Sequence, residues 1–254
     1  DATTYLEYAE NFFTMVTERH TYITGDNSEW EHFGADNILD AERTNCNCET
    51  CNTYNMLKLS RELFKITGNK KYSDYYETTF INAILSSQNP ETGMTTYFQP
   101  MATGFFKVYS SEVDHFWCCT GSGMESFSKL NDSIYYQDKD SVYVIQFVSS
   151  KVTSKDKNIV LTQESDIPNS DTTKFTVNTV TGDTTDADIV LRVPDWAAGD
   201  VVVKVNGTAK DVKVVNGFVT LSDAWKNGDT IEYSVPMEVV AYGLPDNENI
   251  VAFK

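Results

Sequence analysis

Tyr5, Leu6, Ala9, Phe12, Phe13 and Val16 recur at the spacing of one helical face, which predicts a helix over residues 5–16. Periodicity then stops. Residues 20–50 are polar and irregular, a long connection for a compact domain, and loops of that size usually carry function. Helical spacing returns in NTYNMLKLSRELFKITGNKKY through Met56, Leu57, Leu63 and Phe64, with Gly68 as the stop. Another helix is predicted in YSDYYETTFINAILSSQ, closed by Asn89-Pro90. In SGMESFSKLNDSIYY a stripe of Met124, Phe127, Leu130 and Ile134 predicts a helix, and Ser122 with Glu125 fits the S-x-x-E capping box of its start.

The pattern changes after Gln137. SVYVIQF, NIVLTQES, KFTVNTV, ADIVLRV, DVVVKVNG, GFVTLSDAW and TIEYSVPMEVV are short β-branched runs. Asn206-Gly207, Asn216-Gly217 and Gly228-Asp229 punctuate them as turns. Strands at that spacing predict an antiparallel sandwich. The fold class is therefore α+β in two domains, a helical segment over residues 1–137 and a β-sandwich over residues 138–254.

The 254 residues are 41% hydrophobic, enough for a sizeable core. A net charge of -17 repels phosphate backbones and anionic lipid surfaces, so nucleic acid and membrane are set aside as partners. No run is long and apolar enough to span a bilayer.

The candidate chemistry lies in five cysteines: Cys46, Cys48, Cys51, Cys118 and Cys119. An odd number in two tight clusters is a poor disulfide framework, and clustered thiols beside an acid suit a metal better. HFWCCTGSGMESFSKL places two adjacent thiols before a glycine-rich stretch and a helix start. Gly121 and Gly123 would allow a sharp turn, and the helix start would favour thiolate over thiol. CNCETC offers Glu49 and Cys51, with Cys46 and Cys48 just upstream. Zinc is the natural ion for thiolates with one carboxylate. Spacing alone leaves three readings: a closed structural zinc, a catalytic zinc, or buried unligated cysteines. In the long loop Glu31 sits among aromatic residues beside His32, and a carboxyl so placed can act as a general acid near neutral pH.

The segments TGDNSEWEHF, CETCNTYNMLKLSRELF and HFWCCTGSGMESFSKLNDSIYY, with IVLRVPDWA and WKNGDTIEYSVPM further on, resemble the family of unknown function 1680. That family includes the β-L-arabinofuranosidases of glycoside hydrolase family 127 and the related family 146. The resemblance covers nearly the whole chain. It implies an (α/α)6 barrel followed by β-sandwich domains, so the helical segment would be part of such a barrel. It also implies a Zn2+ ion held by Glu49, Cys51, Cys118 and Cys119, with Cys118 as nucleophile and Glu31 as acid/base. Trp30 stands where relatives usually carry glycine, and Glu29 is the alternative acid. Glu77 and Tyr97 match sugar-contacting positions. Cys46 and Cys48 lie outside the family's ligand set.

The expected function is that of a retaining glycoside hydrolase acting on an arabinofuranose-containing oligosaccharide or glycan. The alternative is a non-catalytic carbohydrate-binding or structural module with a closed zinc site. Too few helices are present for a closed barrel, so the chain reads as a fragment, weak or inactive alone. Its unpaired apolar helix faces predict association into a homo-oligomer.

Overall fold

Four α-helices form among the described residues, 2–254 of a computed structural model. Helix α1 spans Ala2–Arg19 and buries only Phe13 and Val16, leaving Tyr5, Tyr8 and Phe12 exposed along its other face. Helix α2, Thr50–Thr67, is the central element and packs against α1 and two further helices, α3 (Lys70–Thr79) and α4 (Cys118–Ser128). Its apolar face buries Met56, Leu57, Leu63 and Phe64. Gly68 ends it in the left-handed conformation at φ 64°, donating its N–H to the Phe64 carbonyl. Helix α3 continues through a π-helical turn, Phe80–Ile84, and a 3-10 turn, Leu85–Ser87, before Asn89-Pro90. These helices form a helical segment, and no closed barrel exists among the described residues.

Two compact units result. One runs to Leu130 and includes Val239–Lys254; the other is Asn131–Glu238. The division at 137/138 places the last segment with the sandwich, but that segment is a hairpin of Ala241–Leu244 and Asn247–Phe253 belonging to the helical unit. The Asp246 carboxylate accepts the backbone N–H groups of Asp40 and Ala41 at 2.8 and 3.1 Å, and the Asn247 amide donates to Asp40 at 2.7 Å. Polar anchors of this kind leave little hydrophobic signal in a sequence.

In the second unit, Tyr135–Gln137, Ser141–Val144, Asp188–Arg192, Phe218–Leu221 and Val214–Val215 form one sheet in that order. The other sheet runs Ser150–Ser154, Ile159–Ser165, Thr172–Thr179, Asp229–Ser234, Val202–Val205 and Thr208–Lys210. Alternate residues of both sheets enter one core: Val142, Val144, Ile189 and Leu191 from the first, Leu161, Phe175, Val203 and Ile231 from the second. The sandwich is not purely antiparallel. Ser141–Val144 pairs in parallel with Asp188–Arg192, joined in sequence by strands of the opposite sheet. Alternation reports which face of a strand is buried, not which way its neighbour runs.

Trp225 is 1% exposed in this core, and its indole N–H donates to the Ala187 carbonyl at 3.0 Å. Trp225→Ala removes both the packing and the hydrogen bond and should cost about 3–5 kcal/mol. Urea denaturation followed by far-UV circular dichroism measures it; a loss below about 1 kcal/mol would show that the core closes without the indole.

Candidate metal centre

The cysteine cluster is built where two helices start. Glu49 is the N-cap of α2, and its Oε2 accepts the Asn52 backbone N–H at 3.0 Å. Its Oε1 faces the Cys119 sulfur at 3.8 Å, so one carboxylate caps a helix and joins the thiols. Cys51 lies in the first turn of α2. Cys118 and Cys119 are the first two residues of α4, whose N-cap, Trp117, contributes no side-chain hydrogen bond. The glycines are therefore not a turn preceding the helix. Gly121 and Gly123 lie within it, and a Cβ at Gly123 would meet the Thr95 side chain at 2.7 Å. Ser122 is not a cap either: its hydroxyl lies 3.0 Å from the Cys51 sulfur, while Glu125 accepts the Tyr54 hydroxyl. The stripe ends early too, since α4 stops at Ser128, before Leu130 and Ile134.

Ligand atoms of Glu49, Cys51, Cys118 and Cys119 all lie within 4.8 Å of one another. Sulfur separations are 3.3 Å for Cys119–Cys51 and 3.9 Å for Cys118–Cys119. A tetrahedral ion with metal–sulfur bonds near 2.3 Å places its sulfurs about 3.7 Å apart, so the donor set fits such an ion. The electrostatics agree. Burial first, with the Cys118 thiol and the Glu49 charge after it, pushes the Cys51 thiol up to about 11, against hydrogen bonds with Ser122 and Cys119 that lower it. Burial and Cys51 push Cys119 further up. Burial raises Glu49, and the charge of Glu31 adds to it. Without a cation, Cys51 and Cys119 keep their protons at neutral pH; a bound cation favours the ionised thiols. The Cys51 backbone N–H also points at the Cys119 sulfur.

Cys46 and Cys48 are not in the cluster. Cys48 is fully buried against Tyr22 and Leu39, and burial holds its thiol well above the usual range. Cys46 is buried beside Glu29. Glu29 accepts from the Thr44 hydroxyl at 3.3 Å, on the Cys46 side. Glu31 is exposed, receives the Tyr97 hydroxyl, and lies within electrostatic reach of Glu49. Tyr97 packs edge-on against Trp117, next to Cys118. Glu77 is buried on α3, outside the cluster. Within the cluster Cys119 is buried, Cys51 half-buried and Cys118 exposed.

Sequence reasoning missed two residues here. Ser122 had a signal, since it stands four residues after Cys118, one helical turn on. Asp26 had none. It is completely buried, accepts the Thr53 hydroxyl of α2 at 2.7 Å and the Gln99 amide at 3.3 Å, and its pKa is raised to about 7. Burial causes the rise, and the Thr53 bond and the charge of Lys107 offset part of it.

A helical unit with a thiol-rich, metal-competent centre, followed in sequence by a two-sheet unit, defines the class of protein. Residues 1–132 match the family described as β-L-arabinofuranosidase, GH127 catalytic domain, and residues 141–237 match the GH127 middle domain. The chain belongs to this family. The non-reducing end β-L-arabinofuranosidase of Bifidobacterium longum subsp. longum is 22% identical over 250 residues, which cover 92% of this chain and 37% of that protein. A GH127 β-L-arabinofuranosidase of Geobacillus stearothermophilus T6 superimposes with a TM-score of 0.80 at 21% identity, over 95% of this chain and 41% of that one. A GH127 β-arabinofuranosidase gives 0.86 at 23% identity, over 99% and 43%. The chain thus spans less than half the length of these relatives, and the structural likeness shows the fold.

The Asp26 carboxyl predicts a pH dependence. Its folded pKa, about 7, lies above the ordinary 3.8, so its contribution to stability is full below about pH 4 and is lost as pH rises through about 7. Lys107, Tyr75 and Cys48 are the titratable groups that feel it. Asp26→Asn should remove that slope, so its stability relative to wild type rises across the window by on the order of 4 kcal/mol. Thermal melts of both proteins from pH 4 to pH 8 test this; parallel curves would show that Asp26 is ionised in the fold.

Proposed function

We propose that the chain forms the catalytic centre of a retaining glycoside hydrolase acting on β-linked L-arabinofuranosides within an oligosaccharide or glycan. The observation that carries this reading is the unequal exposure of the thiols. Three of the four cluster residues are wholly or partly buried, and Cys118 alone is open to a substrate. Glu49, Cys51, Cys118 and Cys119 would hold Zn2+, which, when bound, keeps the thiols ionised at neutral pH.

The Cys118 sulfur attacks the anomeric carbon, and the bond to the leaving oxygen breaks as Glu31 gives that oxygen its proton. Glu31, now a carboxylate, takes a proton from water. The water oxygen attacks the same carbon and releases Cys118, so two inversions give net retention. Tyr97 orients Glu31 through its hydroxyl, and Glu77 is assigned to sugar binding. We read the helical unit as part of an (α/α)6 barrel. Exposed Tyr5, Tyr8 and Phe12 on α1 support association with further helices or a second copy.

Elemental analysis of freshly purified, unchelated protein should give about one zinc per chain, falling sharply in Cys51→Ser and Cys119→Ser. Zinc-free protein of native fold would remove the metal from this reading.

In the intact protein, Cys118→Ala should lower kcat by about 10⁴-fold or more. Glu31→Gln should cost about 10²–10⁴-fold on a sugar or alkyl leaving group and far less on a p-nitrophenyl glycoside, which departs without protonation. Equal losses on both substrates would take the acid role away from Glu31.

A further inference from the structure

The turn that presents Glu31 is unusual in its residues. Glu29 and His32 exchange backbone hydrogen bonds, each 2.9 Å, across the two-residue tip Trp30-Glu31. Both tip residues have positive φ, 45° at Trp30 and 66° at Glu31. Such a tip favours asparagine and glycine, and a bulky residue there is an outlier. Backbone geometry therefore does not explain the tryptophan. Nor does burial, since Trp30 is 58% exposed. Strain kept at a position where the side chain is displayed rather than packed points to use of that side chain.

The indole is held in place, not loose. Its backbone N–H donates to the Cys46 carbonyl at 3.0 Å, and its ring packs edge-on against Phe98 at 6.0 Å. Phe98 packs on Tyr97 at 4.5 Å, and Tyr97 on Trp117 at 5.8 Å. A continuous aromatic row thus runs from Trp30, past the tyrosine that holds Glu31, to the residue before Cys118.

We propose that Trp30 is a stacking platform for the leaving-group side of the substrate, so that this site takes an arabinofuranoside whose aglycone is itself a neutral sugar. The assignment rests on the proposed function. If Glu31 protonates the leaving oxygen, whatever adjoins Glu31 meets the aglycone rather than the arabinose. An indole face buries the C–H face of a sugar ring and leaves its hydroxyls in water. Glu29 and Glu31 stand on either side of Trp30 in the sequence, and two acidic residues in one short turn disfavour an anionic ring.

The test compares a β-L-arabinofuranosyl disaccharide of neutral sugars with methyl β-L-arabinofuranoside, whose aglycone is too short to reach the platform. In Cys118→Ala protein, where turnover is blocked, the disaccharide should shift the Trp30 indole N–H resonance and the methyl glycoside should shift it much less. Added Trp30→Gly should weaken disaccharide binding about tenfold or more, with partial rescue by Trp30→Phe. Glycine relieves the turn, so thermal stability should not fall. In the protein with Cys118 intact, Trp30→Gly should lower the ratio of kcat/KM for disaccharide over methyl glycoside about tenfold, mainly through KM. An indole signal blind to the disaccharide, or an unchanged ratio, would overturn the platform. A responsive indole with neither glycoside hydrolysed would sustain the platform and overturn the reaction.

Discussion

The helical unit is organised around one carboxylate and three thiols brought to a single point, a donor set that could hold a cation. Glu49, Cys51, Cys118 and Cys119 place one carboxylate and three thiols within 4.8 Å, and their ionised forms would carry four negative charges. A divalent cation offsets two of these. The start of a helix carries roughly half a positive charge from its unpaired N–H groups, and α2 and α4 both begin at the cluster. Each ligand is thus a helix N-cap or a first-turn residue. This arrangement dictates where both helices start and ties the long loop, α2 and α4 to one point.

Much of this organisation is legible in the sequence, for reasons that differ by residue. The faces of α2 and the stop at Gly68 follow from apolar spacing and a left-handed glycine, both local properties. The seven β-branched runs become strands for the same reason. The start of α4 is misread because Ser122 and Glu125 imitate a capping box. The true N-cap, Trp117, makes no side-chain capping bond, so no local signal marks Cys118 as the helix start. The parallel pairing of Ser141–Val144 and the docking of the C-terminal hairpin are equally non-local. Close spacing marks the two cysteine motifs, but it does not separate Cys51 from Cys46 and Cys48; the family resemblance singled out the four cluster residues. Asp26 is not, since an acid in T-G-D-N-S looks solvated until α2 and Gln99 are folded over it.

The unit carries its costs close to the cluster. Asp26 is completely buried beneath α2, bonded to Thr53 two residues beyond Cys51. Trp30 and Glu31 occupy a tip meant for smaller residues. Cys48 takes a left-handed conformation at φ 58° to pass from the loop into α2. Departures from local preference collect where geometry must serve something other than stability. In the two-sheet core, by contrast, alternating valine, isoleucine and leucine fill the buried faces of the strands.

The adjacency of Cys118 and Cys119 follows from the same geometry. Successive residues of a helix are turned by about 100° from one another, so neighbouring side chains do not share a face. Deep in a helix, two adjacent thiols would point to different surroundings. In the first turn, with nothing preceding to block them, both reach one point from different sides. Cys119 then lies inward, fully buried between Cys51 and Glu49, and Cys118 lies outward in solvent. A ligand three residues away would share the buried face and close the site. The paired cysteine leaves one of the three clustered thiols exposed while its neighbour is buried, which two cysteines on a single helical face would not do.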